Sequence, residues 1–569
     1  MPVHPYPAVP TRILSLKGND YEIGRQHAEQ VGNDGREGMI RFYCEFWRRL
    51  LGVKGRGPLS RSALHAGRFL LERCLVDRLI AQVPGWARER MRGCAEGAGL
   101  DADELLTVLV LPDLLPILQA YLTRVLPRRF VEAAGPPRFG CSSFISSGRA
   151  FLHGRNLDFP GVAYWDRYPV IQLTQRPGCL RTVSFTTAGV PIGGITGINE
   201  AQVSVSLHQH YGAQTSLKGA LPFIIGEEIL SRAKSLEDAV EILQAARVAS
   251  SWAFIVTDGK QRRGLVYETH PRAFGATFLS EDRPILAHSN FFQSPECRPS
   301  EYATSCRMNW DNFWRKTRLE ELVRSRGAAL TMEESAAFIS DHYDRYWGEE
   351  KPFNRTVSQV YNIQSLVLDP ENMRVLFAEG DAPIHLGQFQ EYDLGAIFSG
   401  RPQPKNARRV PGYVFQSEAR KKAKQAYILS FIEAFEERLP QALEHLDRSL
   451  DHELTHEAAL VAAQLHLKLG DFRRAIDRLE WAVGAMQSKM REKGLPQPPP
   501  EFFEAELYLA RAYDLVGERR RAVGLYQAVA SHPRLGDRNL RRLAAAEGPY
   551  TAADAARILM PYSSYIPFS

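Results

Sequence analysis

The hydrophobic period of this chain changes twice, and those two changes limit the fold more than any other feature of the sequence. Up to about residue 125 apolar residues recur at helical spacing. Tyr21–Gln30 follows Asn19-Asp20, a helix-capping pair, and helical patterns run through Met39–Leu51, Ser62–Ile80 and Trp86–Gly97. At Cys141 the period falls to two. Strands are predicted at Cys141–Ser146, Ala150–Asn156, Val170–Gln175, Arg181–Thr186, Gly193–Thr196 and Gln202–His208. Further strands are predicted at Trp252–Thr257, Gly264–Glu268, Ala276–Leu279, Ile285–His288, Val357–Val367 and Met373–Ala378. Helices fall between them at Pro222–Arg232, Ser235–Ala246, Arg307–Arg326 and Thr331–Tyr343. Strand runs interrupted by helix pairs indicate an α+β fold. After Ser399–Gly412, rich in Pro and basic residues, the pattern is helical to the end. The expected division is a helical segment over 1–140, an α+β domain over 141–398, a linker over 399–412 and a helical domain over 413–569.

Composition removes several classes of protein. At 44% hydrophobic and 24% charged, the chain is neither largely disordered nor a disulfide scaffold. A net charge of +6 with no dense basic stripe predicts no nucleic-acid partner. The seven cysteines are scattered without a C-x-x-C pair, which suits free thiols in a reducing compartment. The start, Met-Pro-Val-His-Pro-Tyr-Pro, lacks a basic region followed by an apolar core. Leu105–Leu122 is apolar but carries Pro112, Asp113 and Pro116, so it reads as a core helix rather than a membrane span. The location expected from these features is cytoplasmic.

The chemistry concentrates in Phe139-Gly140-Cys141-Ser142-Ser143-Phe144 and Gly154-Arg155-Asn156-Leu157-Asp158-Phe159, joined by a hairpin turn at Ser147-Gly148-Arg149. The returning strand brings an arginine and an aspartate back beside the cysteine. Alternation puts Asn156 and Asp158 on one face and Arg155 on the other, unless a bulge aims both charges at the sulfur. Taken singly, Cys141 is a small buried residue, Asn156 and Asp158 satisfy backbone, and Asn290 ends a strand. His208 and His210 share a strand face, but no third ligand stands at usable spacing and no metal is predicted. Gly193-Gly194 and Gly197 lack the following Lys-Ser/Thr of a phosphate loop.

Together the Gly140-Cys141 step, Gly154–Asp158, Tyr21–Gln30, Gly197–Glu200, His288–Asn290 and Thr356–Glu379 resemble the N-terminal-nucleophile hydrolases. Among these they are most similar to the isopenicillin N acyltransferase (acyl-coenzyme A:6-aminopenicillanic acid acyltransferase) family. The resemblance covers roughly residues 12–385 and implies a four-layer αββα sandwich. It implies self-cleavage between Gly140 and Cys141, after which Cys141 is the nucleophile and its own α-amine, of pKa roughly 7.7–8, the base. By the same resemblance Arg155 stabilises the thiolate, Asp158 orients the amine and the Asn290 side-chain amide donates to the oxyanion. Asn156, Arg307 and Arg355 are candidates for substrate or oxyanion contacts, and no cofactor is implied. Ser142 stands where the family often has threonine.

Beyond residue 413, Ala442, Ala475 and Ala522 take equivalent places in three helical pairs, with Gly470 and Gly517 at their turns. The tract Ala505–Pro533 resembles a tetratricopeptide repeat. Such a stack binds a protein partner or packs on its own catalytic domain. Two functions compete. One is a self-processing cysteine amidase or acyltransferase acting on a small acyl amide or acyl thioester, acyl-CoA and peptides included. The other is a catalytically silent scaffold whose helical repeats serve as an adaptor. A papain-like protease is disfavoured because none of its local signatures accompanies Cys141.

Overall fold

Polar residues facing inward from two sheets set the centre of the molecule. A computed structural model describes residues 8–45, 72–125, 140–301, 306–353, 355–404, 406–533, 538–546, 548–556 and 558. The helical patterns predicted within 46–71 lie outside the described residues, as does the Pro/Gly/Arg-rich stretch Pro127–Gly140, expected as an exposed loop, except for Gly140, which is strand.

The chain enters through β1 (Arg12–Lys17), then α1 (Asp20–Val31), α2 (Gly85–Ala98) and α3 (Ala102–Val125). Asn19 and Glu22 form a reciprocal capping box that starts α1. The first sheet adds β4 (Pro169–Gln175), β5 (Thr182–Thr187), β6 (Thr196–Asn199), β7 (Val203–Gln209), β8 (Trp252–Asp258), β9 (Arg263–His270) and β10 (Ala273–Phe278), in the order β1-β4-β5-β6-β7-β8-β9-β10. The second holds β2 (Gly140–Ser147), β3 (Phe151–Asp158), β11 (Ile285–His288), β14 (Asn362–Asp369), β15 (Arg374–Glu379), β16 (Gln388–Asp393) and β17 (Arg409–Pro411), in the order β11-β2-β3-β14-β15-β16-β17. A small ribbon, β12 (Tyr343–Asp344) with β13 (Glu349–Glu350), stands apart.

The sheets meet through Ser143 with His208 at 2.7 Å, and through His153 with Ser204 at 3.0 Å and Ser206 at 2.9 Å. Farther along, Ile171, Leu173, Val183 and Phe185 share one apolar cluster with Leu366, Leu368 and Phe377. Helices α4 (Pro222–Arg232) and α5 (Leu236–Ala245) pack on the first sheet. Helices α6 (Cys306–Arg326) and α7 (Met332–Ile339) pack on the second.

Four expectations change. The strand predicted at Gly193–Thr196 runs instead from Thr196 to Asn199, because Gly193 and Gly194 approach Ser184 and the Phe223 backbone too closely for a side chain and lie in the segment before it. Residues 12–17, read as part of a helical segment, form a strand parallel to β4, because Arg-Ile-Leu-Ser-Leu-Lys alternates and buries Leu14 and Leu16. The strand predicted from Val357 begins at Asn362, since Thr356–Gln359 is tied into a turn by its own side chains. Part of the presumed linker is strand β17, where Pro411 is tolerated at a sheet edge.

Helix α3 is the only helix among the described residues long and apolar enough to cross a membrane. Two thirds of its apolar window is buried in the fold, and Asp113 at its centre accepts from Ser250 Oγ (2.5 Å) and Trp252 Nε1 (3.1 Å).

The C-terminal part consists of α8 (Glu418–Phe435), α9 (Leu439–His452), α10 (His456–Leu469), α11 (Phe472–Glu492), α12 (Pro500–Leu515), α13 (Arg519–Ser531) and α14 (Arg538–Ala546). Gly470 and Gly517 turn the α10–α11 and α12–α13 pairs at φ of 84° and 82°, a conformation that favours glycine. These helices close on the sheet region through buried polar groups. Arg355 pairs with Glu501 of α12, Lys351 pairs with Glu457 of α10, and Lys424 of α8 lies 2.7 Å from His342. No carboxylate pairs with Lys424 among the described residues, and burial holds its pKa well below that of an ordinary lysine.

Candidate active site at Cys141

Strand register decides which charges meet the sulfur. Across β2 and β3, Gly140 faces Asp158, Cys141 faces Leu157, Ser142 faces Asn156 and Ser143 faces Arg155. Directly opposed residues share a face and successive residues alternate. Cys141, Ser143, Leu157 and Arg155 therefore face the first sheet, where Ser143 meets His208. Ser142 and Asn156 face the helices.

Cys141 is fully buried, with Sγ 3.7 Å from the Leu207 carbonyl. Burial pushes its thiol pKa up and Asp158 adds to this, while Arg155 and Arg315 pull it down. Arg155 is also fully buried, and among the described residues none of its three nitrogens bonds an oxygen or nitrogen acceptor, which leaves it turned to the sulfur. A buried cation in that state is costly to keep.

Asp158 accepts from Asn362 Nδ2 at 2.8 Å through one oxygen, and the other oxygen has no partner among the described residues. Burial raises its carboxyl to about 6, against the opposing pull of Arg315, Asn362 and Arg155. A bulge does exist, but it lies in the neighbouring β14, between Asn362 and Gln364, where β3 ends. There it lets Asn362 reach Asp158. Both charges act on the sulfur without any distortion of the hairpin.

Gly140 is needed by its neighbours. A Cβ there would lie 3.1 Å from Asp158 Cβ and 3.3 Å from the Tyr361 ring, closer than ordinary packing. Around the histidine seam, burial lowers His288 to about 3 and takes His208 and His210 well below the usual value. Burial thus favours the neutral form of all three.

Asn290 sits against Cys141, but not in the orientation expected. Its Oδ1 accepts from the Cys141 N–H at 2.6 Å and from Arg315 Nη2 at 3.1 Å. Its Nδ2 donates to the Gln209 carbonyl at 2.9 Å. Both groups facing Oδ1 are donors, which fixes the orientation of the amide. Asn290 thus holds the Cys141 nitrogen through its oxygen, and one of its two amide N–H groups is given to Gln209.

Two other candidates move away from the sulfur. Asn156 donates to the Ile339 carbonyl at 2.6 Å and accepts from Ser365, tying β3 to α7. Arg355 is engaged by Glu501 at 2.7 Å and Asp344 at 3.2 Å in the seam with the C-terminal helices. The Arg307 side chain lies outside the described residues.

The arginine that reaches Cys141 from α6 is Arg315. It donates to the Cys141 carbonyl at 2.7 Å, Ser142 Oγ at 2.8 Å and Asn312 Oδ1 at 2.6 Å, and pairs with Asp311 at 2.7 Å. Asn312 in turn donates to the Asn290 carbonyl at 2.8 Å. Asp311, Asn312 and Arg315 stand at i, i+1 and i+4, so the i+3 and i+4 steps bring all three to one helix face. That spacing was the available signal for Arg315. For Asn362 it was only a place in Thr356–Glu379.

An uncharacterized protein of Archaeoglobus fulgidus is 23% identical to the chain over 366 residues, which is 60% of each protein. The alignment therefore spans 60% of that relative's length. Residues 146–378, which hold Arg155, Asp158, Asn290, Arg315 and Asn362 and begin five positions after Cys141, match the family described as acyl-coenzyme A:6-aminopenicillanic acid acyl-transferase.

Proposed function

We propose that the chain is a self-processing cysteine amidase or acyltransferase with Cys141 as nucleophile. The observation that carries this reading is Arg155, a buried guanidinium that forms no ion pair with a carboxylate among the described residues and bears on the Cys141 sulfur. A fold needing only stability has no use for an unsatisfied buried cation, whereas a thiolate or an oxyanion does. A silent scaffold leaves that residue unexplained. The family match over 146–378 supports acyl transfer or amide hydrolysis in general. Two sheets in contact, with helices packed on each, support the αββα reading of the central domain. On this scheme the cut divides 1–140 from the rest, β1 and β17 complete the two sheets of the domain centred on 141–398, and a tetratricopeptide-like 413–569 follows the 399–412 stretch.

In the uncut chain the thiol adds to the Gly140 carbonyl carbon. A C–S bond forms, the C–N bond to Cys141 breaks, and the thiol proton ends on the departing nitrogen, with the Asp158 carboxylate as its carrier. Water then cleaves the thioester to the Gly140 carboxyl and the Cys141 thiol. The freed amine, held by Asn290 Oδ1 and the open Asp158 oxygen, next takes the thiol proton in each turnover. The thiolate attacks a linear amide or thioester, Arg155 stabilises the negative charge, and water or an amine releases the acyl group. The substrate is a small acyl amide or acyl thioester.

The test is intact mass spectrometry of the protein with a panel of acyl amides and acyl thioesters. The expected result is a one-acyl mass gain on the chain that begins at Cys141, absent in Arg155→Leu. Turnover of those substrates with the adduct mapped to another residue would overturn the assignment.

A further inference from the structure

His208 and His210 lack a third metal ligand in the sequence, yet the fold supplies two more groups. His210 follows β7, His288 ends β11 and Glu268 lies on β9, so both sheets contribute. The three side chains are buried at 0%, 1% and 2% exposure, and their ligand atoms lie within 4.8 Å of one another. His210 Nε2 and His288 Nε2 are 2.9 Å apart, and His288 Nε2 is 3.9 Å from Glu268 Oε1.

The surroundings are those of a held ligand set. Glu268 accepts from the backbone N–H of Gln293 at 2.7 Å and of Ser294 at 2.5 Å, which fixes both oxygens. Gln293 reaches the far side of His288, 2.7 Å from Nδ1. Phe292 covers His210 edge-on, with ring centroids 4.5 Å apart. Among the described residues no lysine or arginine pairs with Glu268, and Glu301 is close enough for the two carboxyl charges to oppose each other. Arg298 offsets Glu301 and Lys316 bears on His288, but Glu268 itself has no ion-pair partner among the described lysines and arginines, and a carboxylate beside two imidazoles is well satisfied by a divalent ion.

We propose that His210, His288 and Glu268 form a binding site for one divalent transition-metal ion, zinc(II) being the best fit. Zinc takes two imidazoles and a carboxylate at about 2.0–2.2 Å in a tetrahedron, which places neighbouring donor atoms about 3.3 Å apart. The histidine pair opens by about half an ångström, and the glutamate closes by a similar amount on His288 and by up to about 1.5 Å on His210, a shift for its side chain to make. The hydrogen between the two Nε2 atoms moves to a ring Nδ1. On His288 the Gln293 amide, turned to present its oxygen, accepts it, an outer partner of the kind such ligands have. The fourth position is left to water or a ligand. Its place in the fold is next to the cysteine site, since Asn290 lies two residues past His288 and His208, packed on His288, bonds Ser143. The proposal does not depend on Cys141 being a nucleophile.

The test is a zinc titration of the chelator-treated full chain by calorimetry, repeated on Glu268→Gln, His210→Gln and Cys141→Ala after circular dichroism confirms folding. The expected result is one zinc per chain in wild type and in Cys141→Ala. Binding at least about 100-fold weaker is expected in the other two. No zinc uptake by wild type, or unchanged affinity in folded Glu268→Gln and His210→Gln, overturns the site. Should those variants not fold, cobalt(II) in the wild-type protein decides. Visible bands of a nitrogen–oxygen site without a thiolate charge-transfer band support the proposal. A thiolate band, or no bands, overturns it.

Discussion

Arg155 and Arg355 are both buried at or below 2% exposure, and they occupy regions built on opposite principles. In the seam between the sheets and the C-terminal helices, Arg355 is met by Glu501 and Asp344, with Lys351 and Glu457 paired beside it. At the Cys141 hairpin, Arg155 forms no ion pair with a carboxylate among the described residues and bears on the Cys141 sulfur. The seam spends its buried charges on each other and holds two parts of the chain together. The hairpin keeps a charge unspent, so it remains available to a group that becomes anionic only during reaction. Buried charge alone does not mark an active site; buried charge without its complement does.

The largest expected effect is from Cys141→Ala, which should abolish both processing and turnover; a denaturing gel and an amidase assay read the two. Next, Arg155→Leu and Arg355→Leu should fail in opposite ways. Arg155→Leu should lower turnover by roughly 10²–10³-fold with a melting temperature at or above that of wild type. Arg355→Leu strands Glu501 and should cost about 3–5 kcal/mol of stability, read by denaturant unfolding, while the folded fraction still processes. If both variants lose stability alike, the contrast between the regions is wrong.

A pH series gives a smaller effect. Asp158 works as a carboxylate, so processing should rise with pH through about 6, and Asp158→Asn should remove that limb. Stability carries the opposite sign. The folded-state value of about 6 lies above the ordinary 3.8, so the group favours the folded state when protonated. That contribution is present below 3.8 and is lost as pH rises to about 6, a slope that thermal unfolding of wild type should show and Asp158→Asn should lack. Smallest of all, Asn312→Ala removes one bond to the Asn290 carbonyl and should cost about 1 kcal/mol with a few-fold slower processing rate.

What the sequence revealed was local. The β2–β3 hairpin was legible because its alternation and its turn lie within twenty residues, and register then carried Arg155 to the sulfur's face. Asn290 was legible as a neighbour, but its orientation depends on Arg315 and Gln209, partners distant in sequence. Arg355 was a candidate by position, yet it is drawn to Glu501, 146 residues away, and α6 brings Arg315 to Cys141. Strand β1 went unread because its six residues precede a long helical stretch, and its pairing with β4 is non-local. His288 and Glu268 could not be joined to His210 by spacing, because the contact runs between two sheets.

The central claim is that Cys141 becomes the first residue of a new chain. Amino-terminal sequencing of the purified active protein, with the intact masses of its fragments, measures this directly. The account predicts one fragment ending at Gly140 and another starting at Cys141, both absent from Cys141→Ala. A fully active sample in which Gly140 and Cys141 are still joined would contradict it.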